Sequence, residues 1–289
     1  MIRYNISPFH QMESDIRLAD AMVFAALKSA LGDRIEAHSS IYEYTDAAPL
    51  WGLDHYEDPA ILQRRAAAYR EPAVLAAIGG TIVPARDAGR AMDALAANSI
   101  QPAMRSMADP IERRYFPGLL GHFQGPDGVF ERNKDRLRIK SPDEEVCIHA
   151  HYDTIAGRRF LIVAGEIAAE TPDVHSDEDP ARLLDPQSHM FEPVGDFMSD
   201  LVPANPEHLE LQRAAVETLL RDYPMVSGAI DVGIVVSDGA KRAQIEQVWA
   251  APPGGAYTLF ADPVAYAAKI ADHLHVLEPD LPDHDTPNP

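Results

Sequence analysis

The sequence predicts an α/β (α+β) chain in which a mostly helical N-terminal region precedes an antiparallel sheet with flanking helices. Three observations carry that expectation. Apolar residues recur at helical spacing through the first third, at Ile16, Ala19, Met22, Val23, Ala26 and Leu27. In the middle, short apolar or alternating runs at Arg136–Ile139, Val146–His151 and Arg159–Ala164 are punctuated by Gly121, Gly125, Gly128 and Gly157. Near the end, two apolar runs flank the turn Ser237-Asp238-Gly239-Ala240 and lead through a proline- and glycine-rich loop into a helix.

Each element has a local cause. Ser14 is a cap residue and Gly32 a terminator, so the first helix is expected from Ser14 to about Leu31. A second helix starts near Asp58-Pro59 and carries Ile61, Leu62, Ala66 and Tyr69. It breaks at Glu71-Pro72, because the residue before proline avoids the α region. Gly79-Gly80 precedes a short strand, Thr81-Ile82-Val83, and a helix from about Ala85 to Ala97. Asp173–Pro206 is long, polar and proline-containing, which suits a lid or functional loop. Asn205-Pro206-Glu207 is a helix start, and the helix should run to about Asp222. Ala229–Val236 and Ala243–Trp249 are the strands of a hairpin, and Asp262-Pro263 opens the last helix. The expected organisation is a helical region over 1–100, a sheet-containing domain over 101–277 and an acidic tail over 278–289, read as disordered.

Charge narrows the function classes. The 289 residues carry 25 Lys+Arg against 45 Asp+Glu, a formal charge of −20, which argues against a nucleic-acid binder or a coat on anionic membranes. With Cys147 as the one cysteine, a disulfide framework and a multi-thiolate zinc site are excluded. No run of about 18 apolar residues exists to span a membrane. Met1 leads into Ile2, Arg3 and Tyr4 without a secretory-type apolar run, and a cytoplasmic location is expected. The acid is unevenly spread. Glu166–Asp200 holds ten acids and one base, whereas Arg105–Lys140 reverses the balance with eight Lys/Arg against five acids. That basic stretch suits either an anion site, with Lys134, Lys140 or Arg105 as the candidate cation, or a solvated face of mixed charge.

The hairpin offers the sharpest site. Asp231 and Glu246 lie on its two strands at a similar height above the turn. Residues facing across an antiparallel pair have Cβ atoms about 5 Å apart. Two such carboxylates repel unless a proton or a cation lies between them, and Mg²⁺ suits paired carboxylates with phosphate oxygens. The plainer alternative is two exposed acids. Trp249 follows Glu246 on the same strand, placed either for the core or to stack on a base or substrate. A competing cluster is His149, His151 and Asp153, where His-x-His on a strand puts two ligands on one face, as in a zinc hydrolase. Cys147, in an apolar run, reads as a buried inert thiol.

The segment from Asp231 to Glu246, followed by Ala251-Pro252-Pro253-Gly254-Gly255, resembles the end of an ATP-grasp domain, the superfamily of D-alanine–D-alanine ligase and glutathione synthetase. The segment from Ala156 to Glu166, Ala-Gly-Arg-Arg-Phe-Leu-Ile-Val-Ala-Gly-Glu, is similar to that superfamily's arginine-bearing strand and turn. The resemblance covers roughly residues 145–272. It implies an ATP-grasp-like fold and an ATP- and Mg²⁺-dependent carboxylate–amine ligase working through an acyl phosphate. Small-molecule carboxylate and amine substrates, or a peptide, are the implied partners, and homo-oligomer formation stays open. Asp231 and Glu246 would hold Mg²⁺, Arg159 would contact the transferred phosphoryl group, and Lys140, Arg105 and Trp249 would bind the nucleotide. The sequence departs from the pattern at Val248, where an asparagine is expected, and at Ala229-Ile230, where an arginine often stands. Those departures support a second implication, a non-catalytic relative that binds a nucleotide or a protein.

Overall fold

The computed structural model describes residues 2–5, 14–38, 50–52, 59–108, 113–115, 139–171, 205–237, 239–251, 253 and 262–277. The expected lid loop, the expected strand at 136–138 and the acidic tail lie outside the described residues.

The N-terminal unit alternates strand and helix. Strand β1 (Ile2–Asn5) is followed by α1 (Ser14–Leu31), β2 (Ile35–His38) and β3 (Leu50–Gly52). The three strands form a parallel sheet in the order β2-β1-β3. The sequence pattern predicted only the helix here. Strands of three or four residues are too short to show a period, and their partners are remote in sequence. Gly32, with φ of 60°, ends α1 in the left-handed conformation expected of it.

Helices α2 (Pro59–Ala68) and α3 (Pro72–Ile78) are split at Glu71-Pro72, and Gly79 caps α3 at φ 62°. Strand β4 (Thr81–Pro84), helix α4 (Ala88–Ala96), β5 (Gln101–Ser106), β6 (Arg113–Tyr115) and β7 (Glu145–His151) follow. Their strands form an antiparallel sheet in the order β4-β7-β5-β6. Helix α4 covers it through Ala88 and Met92, packed with Met104, Val146 and Ile148.

The third sheet, also antiparallel, has the order β11-β10-β8-β9. Its members are β8 (Ala156–Val163), β9 (Glu166–Glu170), β10 (Ser227–Ser237) and β11 (Ala240–Ala250). Every residue of β8 is buried, which explains its unbroken Phe160-Leu161-Ile162-Val163 run: the sheet is covered on both faces. On one face Leu161, Val163, Ala229 and Trp249 pack with Tyr4, Val23, Leu27 and Ile35 of the N-terminal unit. On the other, Phe160, Ile162, Ile230, Val232 and Val248 pack with residues that include Tyr69, Val74 and Ile78. Helix α5 (Pro206–Asp222) adds Val216 and Leu219 to that second face. Helices α6 (Pro263–Asp272) and α7 (Leu274–Leu277) close the first face through Tyr266, Ile270 and Leu277. Among the described residues no helix is long and apolar enough to cross a membrane.

Two predicted caps are built as the sequence suggests. Asn205 accepts from the Glu207 N–H at 3.0 Å, and Asp262 accepts from both Val264 and Ala265 N–H at 2.9 and 3.1 Å. Asn205→Ala and Asp262→Ala should each cost about 1 kcal/mol in urea unfolding, with Asp262→Ala the larger loss because two donors are stranded. Cys147 pairs in register with Arg105 and is buried. Burial raises its thiol pKa from 9.0 to about 11, against a smaller lowering by the Arg105 charge. The folded state thus holds its proton more tightly than the unfolded state. This contribution to stability is fully present below pH 9.0 and is lost as pH rises through about 11. Iodoacetamide at mildly alkaline pH should leave Cys147 unmodified in the folded protein and modify it in urea.

Candidate functional site

The site lies on the two central strands of the third sheet. Register places Asp231 of β10 beside Arg159 of β8. Ala229 and Leu161, two residues along each strand, belong to the first apolar face, so Arg159 and Asp231 share that face. Their side chains meet in a two-pronged pair: Arg159 Nε donates to Asp231 Oδ1 at 2.6 Å and Nη2 donates to Oδ2 at 2.8 Å. Neither residue is reached by water, at 0% and 1% exposure. Trp249 of β11 adds a third donor, its Nε1–H reaching Asp231 Oδ2 at 3.1 Å. Two guanidinium groups lie over the Trp249 ring, Arg159 at 5.2 Å and Arg65 at 5.3 Å from the ring centre, within cation–π range.

The hairpin turn forms at Ser237↔Ala240, with Gly239 at φ 76°. The two carboxylates are not at matched height, however. Gln247, not Glu246, faces Asp231, and Ile245 faces Val232, so Glu246 is the extra residue of a bulge. This puts Glu246 beside Asp231 on the neighbouring strand, buried at 3% exposure rather than exposed as the plainer alternative required. Its Oε1 stands 3.5 Å from the point where a Cβ on Gly233 would be, and the Thr154 side chain crowds the same point.

A second knot joins β11 to the other antiparallel sheet. Arg105 of β5, fully buried, donates through Nη2 to the Glu246 carbonyl at 2.8 Å and through Nε to His149 Nε2 at 3.1 Å. Its guanidinium lies over the Tyr69 ring at 5.1 Å, and the Val248 N–H donates to the Tyr69 hydroxyl at 3.2 Å.

The structure therefore brings together Arg159, Asp231 and Trp249, sets Glu246 next to them, and ties Arg105 to the Glu246 backbone. Lys140 shares no contact with this group: it is exposed in the turn before β7, where its N–H donates to the Glu144 carboxylate. The run Gly125-Pro126-Asp127-Gly128-Val129-Phe130, whose two glycines could form a phosphate-cradling loop, lies outside the described residues. His149 is engaged at both ring nitrogens. Nε2 accepts from Arg105, so Nδ1 carries the proton and donates to the Ala150 carbonyl at 2.9 Å. No imidazole lone pair of His149 is left for zinc. Among the described residues no three His, Cys, Asp or Glu are grouped to hold a metal.

Two contributors went unnoticed in the sequence, Arg65 and Tyr69 as a hydrogen-bond acceptor, and Thr154 stood out only as the end of the His149–Thr154 run, with no role beside Glu246. Arg65 and Tyr69 sit in an Arg/Ala-rich helical run with no motif around them, and only Gly233 hinted at a close approach.

Removing one member of a buried ion pair is costly because the other is left desolvated. Asp231→Asn should lower unfolding stability by about 3–5 kcal/mol. Trp249→Phe, which keeps the ring and deletes one hydrogen bond to a charged group, should cost about 1.5–3 kcal/mol. Denaturant titration of both variants checks the ranking; an Asp231→Asn loss smaller than that of Trp249→Phe would contradict it.

No protein-family model matches the chain, and no curated protein matches it. Solved structures do. A D-cycloserine synthetase superposes with a TM-score of 0.52 at 16% identity, covering 96% of this chain and 100% of that one. A Chryseobacterium gregarium RiPP-associated ATP-grasp ligase, in complex with ADP and a leader and core peptide, gives 0.51 at 12% identity, covering 99% of both chains. A RimK domain ATP-grasp protein from Sphaerobacter thermophilus gives 0.50 at 11%, covering 95% of this chain and 100% of that one. At these identities the likeness speaks for architecture: the chain has the ATP-grasp fold.

Proposed function

We propose that this chain is an ATP- and Mg²⁺-dependent ligase that joins a carboxylate to an amine through an acyl phosphate. The observation that carries the reading is the buried group Arg159–Asp231–Trp249 with Glu246 at its side, set on the neighbouring strands β8, β10 and β11 of the ATP-grasp fold. A similar structure holds ADP and a peptide, and another is a synthetase of a small molecule, which supports a nucleotide plus a peptide or small carboxylate as substrates here.

The donor set fits Mg²⁺ in kind: Asp231 and Glu246 are neighbouring carboxylates, and carboxylate oxygens are hard donors. Asp231 is already well engaged. Its Oδ2 accepts two N–H groups and its Oδ1 one, so of about four lone-pair sites on a carboxylate, one remains on Oδ1. Glu246 would therefore be the main protein ligand, with Asp231 through Oδ1. When bound, Mg²⁺ would offset charge on the phosphate oxygens.

The residues themselves do the rest. Transfer breaks the bond between the γ-phosphorus and the ADP oxygen as a substrate carboxylate oxygen bonds to that phosphorus. The amine nitrogen then bonds to the acyl carbon, phosphate leaves, and the amine gives up a proton. Arg159 is fixed by Asp231 before any substrate arrives, so its positive charge beside the developing phosphoryl charge needs no reorganisation. Trp249 orients Asp231. Arg105 holds the Glu246 backbone against β5, and Lys140 remains a candidate for the nucleotide phosphates.

A second reading is a nucleotide binder without ligase activity. Val248 favours it, because its side chain is buried in the apolar second face and supplies no oxygen two residues after Glu246.

Thermal unfolding with a non-hydrolysable ATP analogue and Mg²⁺ tests both. A ligand at 100 times its Kd stabilises the folded state by about 2.7 kcal/mol, roughly 4–5 °C for a chain of this size. Glu246→Gln should lose most of the Mg²⁺-dependent part of that shift. Wild type unmoved by millimolar nucleotide would sink both readings. A shift without ADP formation, across a panel of carboxylates and amines, would favour the non-catalytic one.

A further inference from the structure

Thr154 lies in the short connection between β7 and β8, where the chain passes from one antiparallel sheet to the other. It is 8% exposed, yet its Oγ1 is out of contact with water and has no hydrogen-bond partner among the described residues. A buried hydroxyl left unpaired is expensive, and native structures keep one only for a reason. Its surroundings supply the reason. The side chain packs on Gly233 so closely that a Cβ there would collide with its methyl group and stand 3.0 Å from its Cβ. The same missing Cβ would sit 3.5 Å from Glu246 Oε1. Glycine at 233 thus opens a cradle that holds the Thr154 side chain and the Glu246 carboxylate side by side. Gly233 is two residues beyond Asp231 on the same strand, and so on the same face.

We propose that Thr154 Oγ1 is an oxygen ligand of the divalent cation at this site, joining Glu246 and Asp231. The inference rests on the reading of those two carboxylates as cation ligands, and it assigns to a hydroxyl from the β7–β8 connection the donor that Val248 does not supply. A threonine hydroxyl is a neutral hard oxygen, suited to an oxygen-seeking cation beside two carboxylates. A cation bound there would give Oγ1 the partner that no described protein group supplies.

Mn²⁺ serves as the probe, its binding to the full chain followed by the electron paramagnetic resonance of free Mn²⁺ with a non-hydrolysable ATP analogue present. Wild type, Thr154→Val, Thr154→Ser and Glu246→Gln are compared, and melting temperatures are taken without ligand. Thr154→Val keeps the branched shape on Gly233 and removes only the hydroxyl. It should bind Mn²⁺ about tenfold more weakly and melt higher than wild type when empty, while Thr154→Ser binds Mn²⁺ as wild type does. Wild-type affinity in Thr154→Val overturns the assignment. So does a lower melting temperature in that variant, since the hydroxyl would then already be serving the fold. If Glu246→Gln loses Mn²⁺ and Thr154→Val keeps it, the cation site stands and Thr154 alone is removed from it. If wild type binds neither Mn²⁺ nor nucleotide, the ligase reading falls and takes this one with it.

Discussion

Arg159 and Asp231 are opposite charges placed where water cannot reach either, on the two central strands of a sheet covered on both sides. Burying each charge costs several kcal/mol, and Coulomb attraction offsets that cost only when geometry is good and the remaining lone pairs are used. Both conditions are met: the pair is two-pronged, and Trp249 supplies a further donor from the third strand. The pair therefore acts on register. A one-residue slip of β10 would carry Asp231 to the opposite face and leave two unpaired charges in an apolar layer. An all-hydrophobic sheet would pay far less for the same slip.

From that fixed point the rest of the site is set by neighbouring backbone. The bulge on β11 keeps Trp249 in place over the pair and brings Glu246 alongside it. Arg158, adjacent to Arg159 but pointing to the other face, ties the same strand to α5 through Gln212 and to the Thr171 carbonyl. Gln212 in turn donates to the Val232 carbonyl. One Arg-Arg dipeptide thus anchors both faces of the sheet, in keeping with the period of two along a strand.

The C-terminal half of this arrangement was legible because its signals are local. The hairpin is bounded by its turn, α5 by Asn205-Pro206, and α6 by Asp262-Pro263, each within a few residues. The carboxylates Asp231 and Glu246 could be singled out on the same grounds. What joins them to the rest is long-range. Arg105 reaches Glu246 across 141 residues, and Tyr69 reaches Val248 across 179. No spacing rule encodes such contacts. The bulge was also invisible, since one extra residue in Ala240–Ala250 leaves the apolar pattern readable either way. The parallel strands of the N-terminal unit were missed because three or four residues carry no period, and Ile2 and Tyr4 became core only through partners supplied from elsewhere.

Strand β11 is the outer member of its sheet, so half of its backbone polar groups face away from β10. A bare row of that kind is a template for a strand from another molecule, and proteins in general blunt it. Here the blunting is done by side chains of distant elements. Tyr69 takes the Val248 N–H and Arg105 takes the Glu246 carbonyl, while Gln244, whose side chain donates to the Ala77 carbonyl, crowds the approach nearer the turn. The contacts that hold the site together are thus also a guard against edge-to-edge aggregation, and loosening them exposes the chain to misassembly at the strand that carries its chemistry.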